Sequence, residues 1–121
     1  MANELSLVIN LSFSKGGAKV TRQFSKKVDI AGDAFTHGVQ EIGTTEEEVV
    51  QLAEVGDPGW VLIINLDSTN FIEVGATTGV YTIKILAGEF AVFRFAKEQT
   101  VTVLALADTG NVDVEYFIFE N

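Results

Sequence analysis

The stretch INLDSTNFIEVG, Ile64 to Gly75, sets Asp67, Asn70 and Glu73 three residues apart. Three oxygen side chains in one short segment invite comparison with a calcium loop. Such a loop needs oxygens at alternate positions and a glycine at its sharp turn, and this stretch has neither spacing. Asp67, Ser68, Thr69 and Asn70 are residues whose short polar side chains bond back to the backbone. A hairpin loop is therefore expected, with Glu73 on the strand that follows. His37 is the only histidine. A Ser-His-Asp triad would have to use it, yet the chain has no nucleophile elbow, and one histidine cannot make a two-His metal site. A surface or half-buried histidine near a loop is expected. Glu46, Glu47 and Glu48 are adjacent, and such a run reads as a solvated face rather than a converging acid–base pair. The glycines of SKGGAK, GDPGW and GATTGV match neither a P-loop nor a dinucleotide fingerprint. With no cysteine, a thiolate nucleophile or metal ligand is excluded. The expectation is a chain with no catalytic, cofactor-binding or metal-ligating residue, and so not an enzyme.

The aromatic residues are a second candidate. Trp60, Phe71, Tyr81, Phe90, Phe93, Phe95, Tyr116, Phe117 and Phe119 could build a platform that stacks sugars or bases. Most fall at positions compatible with a core. In EFAVFRF, Phe93 and Phe95 share one face of a strand, Phe90 and Arg94 the other. In EYFIFEN, Phe117 and Phe119 share one face, Tyr116 and Ile118 the other. Strands apolar on both faces belong to a sheet buried between two layers or to a subunit contact, and the sequence leaves both open.

The elements that must carry these residues are strands. Leu5, Leu7, Ile9, Leu11 and Phe13 alternate with mostly polar residues, the period of a half-buried strand. Gly16-Gly17 suits a tight hairpin, and a second, less apolar strand runs from Val20 to Ile30, with lysines that suit a sheet edge. Phe35–Ile42 reads as a short strand. Thr44–Leu52 is open: a Thr followed three residues later by Glu resembles a capping box, but a strand through Val49 and Leu52 fits as well. After GDPGW the chain reads as strands at Trp60–Leu66, Phe71–Val74, Val80–Leu86, Phe90–Phe95, Val101–Leu106 and Val112–Phe119. The first of these is expected to be buried on both faces. Eight or nine short strands with close turns predict an all-β antiparallel sandwich or barrel.

At 121 residues, 47% hydrophobic, the chain is expected to form a single domain, 1–121, with its own core. Its start has no basic region or cleavage site, and its longest apolar run is too short to span a bilayer. A soluble protein made in a cytoplasm, with no membrane partner, is expected. A net charge of −9 disfavours nucleic acid as a partner. The charge is split, however. Leu5–Val28 holds five bases (Lys15, Lys19, Arg22, Lys26, Lys27) and no acid. Glu41–Asp57 holds six acids and no base. Two solvated faces of opposite sign would explain this, as would pairing within a molecule or between neighbours in a ring or lattice.

WVLIINLD, NFIEVG, IKILAGEFAVFRFAK, VLALAD and a final aromatic strand, with GVQEIGTTEEEVV upstream, together resemble a family of small all-β structural proteins of tailed bacteriophages and prophages. The resemblance covers roughly residues 38–121 and rests on strands and turns. It implies a virion component, either a capsid decoration (cement) protein or a tail or neck accessory. It implies no enzyme and carries no active-site residue.

The expected fold is thus a jelly-roll-like antiparallel β-sandwich of about eight strands, with residues 1–30 as a basic hairpin serving as an assembly arm. The expected work is non-covalent bridging of capsid subunits in the virion, which is assembled in the host cytoplasm. The partners would be the major capsid protein or another virion protein, in a homo-oligomer. The contact residues expected are the five hairpin bases, with an aromatic strand face supplying apolar contact, for which Phe90, Arg94 or Tyr116 are the candidates. A carbohydrate-binding tail module is the alternative, with Trp60 or Tyr81 stacking beside Asp67 and Asn70.

Overall fold

The computed structural model describes residues 3–96 and 102–120. They form ten strands and no helix: β1 (Leu5–Lys15), β2 (Ala18–Val28), β3 (Phe35–Ile42), β4 (Glu48–Val49), β5 (Pro58–Asn65), β6 (Ile72–Gly75), β7 (Ile83–Ile85), β8 (Phe90–Arg94), β9 (Leu104–Ala107) and β10 (Val112–Glu120). The chain divides into two compact units, residues 1–31 and 32–121.

The first unit is a hairpin. β1 and β2 pair in unbroken register from Leu5↔Val28 to Lys15↔Ala18. Gly16 and Gly17 both have positive φ, 57° and 86°, the requirement of a type I′ turn whose twist matches the strands it joins. The open end is tied by Asn3 N donating to Asp29 Oδ1 (2.5 Å) and Ile30 N donating to Glu4 Oε2 (3.1 Å). β2 begins and ends two residues before the expected Val20–Ile30. It pairs with β1 alone, in a two-stranded sheet of its own.

The second unit holds two four-stranded antiparallel sheets, ordered β3-β10-β5-β8 and β4-β9-β6-β7. The pairing is nested: β3 with β10, β4 with β9, β5 with β8 and β6 with β7. One apolar cluster joins Val61, Ile63, Val114 and Ile118 of the first sheet to Ile72, Val74, Ile85 and Ala105 of the second. Two sheets facing one shared core make a β-sandwich.

Several elements differ from the expectation. Thr44–Leu52 forms no helical turn. The Glu47 carboxylate is drawn across to residues 78–81, and the Val50 amide donates to Val103 O at 2.8 Å, extending the β4–β9 ladder. The strand expected over Val80–Leu86 is cut to Ile83–Ile85, because Thr77 to Val80 form a tight turn closed by a Val80 N to Thr77 O bond. Gly75 lies so close to this turn that a Cβ there would sit 2.0 Å from Val80 O. The ninth strand starts at Leu104, and the expected start at Val101 lies outside the described residues. In β5, Val61, Ile63 and Asn65 are fully buried while Trp60, Leu62 and Ile64 are half-buried, so only one face is sealed.

Candidate functional site

The loop of residues 66–71 serves its own backbone. Asp67 Oδ2 accepts from Thr69 N (2.9 Å) and Asn70 N (2.6 Å). These bonds, chiefly the one from Asn70, hold the Asp67 carboxyl below its usual range. Asn65, almost fully buried, donates from Nδ2 to Asn70 O and Ile85 O (both 3.0 Å) and accepts from Asp67 N (2.8 Å). A buried amide is tolerated when its hydrogen bonds are filled. The loop connects β5 to β6, which lie in different sheets, so it is an arch across the sandwich and not the hairpin loop expected. No group of three or more His, Asp or Glu side chains suited to a metal occurs among the described residues.

The residues of the sugar-binding alternative are not brought together. Trp60 and Asp67 belong to opposite ends of β5; Trp60 to Asn65 alone spans about 16 Å at about 3.3 Å per residue. Tyr81 lies beyond the far end of β6 from Asn70, and its hydroxyl donates to Glu47 Oε1. That bond holds the Glu47 carboxyl below its usual range, with help from Gly79 and Thr78, and pushes the Tyr81 phenol up. Glu47 is therefore a clamp on the 77–81 turn, where the sequence suggests only a solvated acid. Glu48 likewise accepts from Gly43 N.

The surface that stands out is the outer face of the β3-β10-β5-β8 sheet. One row across it reads Val39, Glu115, Ile64, Phe90. The next reads His37, Phe117, Leu62, Val92. Beyond a register shift in β10, Phe35 pairs with Phe119 and Trp60 with Arg94. Phe35 stacks on Phe119, and His37 lies flat on Phe117 with ring centroids 4.1 Å apart. His37 Nε2 is 2.9 Å from Glu115 Oε2. Phe35 (66%), Val39 (61%) and Phe90 (67%) remain largely exposed. At one end of the face Glu41 pairs with Asp113, next to Glu115. The outer face of the other sheet carries the cross-strand pair Glu73 and Lys84, with Leu106 beside them.

Tyr116 does not belong to this surface. It is 6% exposed and points into the core, because β10 presents its even-numbered residues inward. Its ring covers Gly38 on β3, where a Cβ would lie 2.8 Å from the Tyr116 hydroxyl oxygen. The aromatics of β10's outer face are Phe117 and Phe119, both half-buried, for which the alternation of EYFIFEN carries the signal but not the direction. Phe90 and Arg94 lie on the outer face, as their shared parity requires.

The hairpin is the second surface. Leu5, Leu7, Ile9, Leu11 and Phe13 lie opposite Val28, Lys26, Phe24, Arg22 and Val20, on one face. Ile9, Leu11, Phe13, Val20 and Phe24 are all exposed, and the Arg22 guanidinium sits 5.8 Å from the Phe24 ring centroid. Lys19 and Lys27 lie on the opposite face and Lys15 beside the turn. Residues 1–31 carry five bases and two acids, net +3; residues 32–121 carry three bases and 15 acids, net −12. Compared with protein-family models, with curated protein sequences and with solved structures, the chain matches none of them.

Proposed function

We propose that this chain is a non-catalytic structural protein of a tailed-bacteriophage virion, a decoration or cement protein on the capsid exterior. The observation that carries this reading is the aromatic outer face of the β3-β10-β5-β8 sheet, with Phe35, Val39 and Phe90 exposed. Apolar patches of this kind mark sites of association. The basic hairpin, through Lys15, Lys19, Arg22, Lys26 and Lys27, is the second contact and suits an acidic surface. Repeated around a symmetric shell, contacts that are weak one at a time hold together.

The second unit is, in this reading, a jelly roll. Its eight strands pair first with last, second with seventh, third with sixth and fourth with fifth, as if one long antiparallel ribbon had been rolled up. Jelly rolls serve in viral capsids and also in lectins and cupins, so the strand order supports the reading without deciding it. The resemblance over residues 38–121 to phage structural proteins supports the choice of a virion component.

Quantitative peptide mass spectrometry of purified particles tests the proposal. Copies on the order of hundreds per particle, as icosahedral symmetry would demand, are the expected result. A handful would move the protein to the neck or tail. None would remove the virion reading.

A further inference from the structure

The hairpin and the sheet face pose the same problem from two sides. A lone two-stranded hairpin is at best marginally stable in water, and this one leaves Ile9, Leu11, Phe13 and Phe24 exposed along a single face. The β3-β10-β5-β8 sheet leaves Phe35, Val39 and Phe90 exposed on its outer side. Each chain thus carries one apolar ribbon and one apolar platform.

We propose that the two cover each other between copies: the hairpin of one chain lies on the outer face of the β3-β10-β5-β8 sheet of a second copy. Charge favours the match. The hairpin's apolar face carries Arg22 and Lys26, with Lys15 at its turn end, while the sheet's outer face carries Glu41, Asp113 and Glu115 at one end and Arg94 at the other. The units bear net +3 and −12, so a like pair of hairpins or of sheet faces would repel. Size favours it too. A standard interface uses about 20–30 residues a side. The hairpin face offers ten and the sheet face fourteen. Either alone is small; a closed assembly, in which every chain gives its hairpin and receives another, brings each chain into that range. The contact joins two different patches, so it closes as a reciprocal dimer or a ring. The inference deepens the proposed function and rests on it for one point, that the hairpin is an assembly contact; it names the partner as a second copy.

The absence of cysteine makes a clean test. A nitrogen-15-labelled chain with Leu11→Cys is mixed with an unlabelled chain with Phe90→Cys and treated with a short thiol cross-linker. Light scattering gives the mass of the untreated full chain. The expected result is an oligomer whose Leu11–Phe90 cross-link joins labelled to unlabelled chains, with Ile9→Lys weakening assembly at least tenfold while the far-ultraviolet spectrum is kept. Three results overturn the proposal. In one, the protein is a monomer and a chain bearing both cysteines cross-links within itself, so the hairpin covers its own sheet. In another, cross-links run between Leu11 positions, so hairpins pair together. In the third, the protein is a monomer with rapidly exchanging hairpin amides, which leaves the surfaces to a different protein. A monomer still found in many copies per particle would overturn the exchange and leave the virion reading standing.

Discussion

Glu120 shows how one carboxylate can hold several segments. Its Oε1 accepts from Asp33 N (3.1 Å) and Ala34 N (3.4 Å), and its Oε2 accepts from Gly56 N (2.9 Å). The Gly56 bond, then those from Ala34 and Asp33, hold its carboxyl below the usual range. A depressed folded value means stability that is present above the ordinary carboxylate range and lost as pH falls through the folded value. Glu120→Gln should therefore lower the melting temperature at neutral pH and flatten its fall on acidification; thermal melts across that range check this, and identical pH profiles would count against the clamp. Asn65 is the buried counterpart. Asn65→Ala removes three hydrogen bonds and leaves buried backbone groups unfilled, which should cost about 2–4 kcal/mol, read from urea unfolding. At the third clamp, Tyr81→Phe should let the Glu47 carboxyl rise toward its usual range, followed by NMR titration, because the phenol is the largest cause of its depression.

At the scale of elements, the hairpin and the sandwich are held by different means. The sandwich strands bury alternate residues in a shared core. The hairpin depends on its unbroken ladder and its turn. Replacing Gly16 and Gly17 with valine forces a β-branched residue into positive φ, at about 1–2 kcal/mol per position. Hydrogen exchange should then show faster exchange in residues 5–28 with little change in residues 35–42 and 58–65. Equal loss in both would mean that the two units unfold together. The sheet face gains by being covered: burying an exposed phenylalanine contributes about 1.5–3 kcal/mol, so Phe90→Asp should weaken association while leaving the inward residues of β8's neighbours packed.

At the scale of the whole molecule, the separation of charge is the feature that matters. Changing Lys15, Lys19, Arg22, Lys26 and Lys27 to Glu should break the contact between copies and, with the assembly lost, abolish docking to the shell without unfolding residues 32–121. Sedimentation with purified shells measures the docking and circular dichroism the fold. Unchanged docking would remove the basic hairpin from the mechanism. Because exposed charges act over a Debye length of about 8 Å at physiological salt, wild-type docking should also weaken as salt rises, though the apolar part of the contact remains.

Much of this was legible in the amino-acid order, because strands announce themselves by local means. Alternation over Leu5–Phe13, the Gly16-Gly17 turn and the strand at Phe35–Ile42 all depend on neighbours a few residues away, and each element stands in the structure, although the strand at Leu5–Phe13 is largely exposed on both faces where its period suggests a half-buried one. The charge split is a property of sequence alone. What needed the tertiary structure was every relation between distant strands. Whether Tyr116 or Phe117 faces the core depends on which side of β10 the second sheet covers, and alternation cannot give that sign. The arch at 66–71 reads as a hairpin in the sequence because its turn chemistry is the same whether the next strand pairs or crosses. Glu47 reads as a solvated acid because its partners lie 31 to 34 residues away in sequence. The platform itself exists only where β3, β10, β5 and β8 lie side by side, four segments that no local pattern connects.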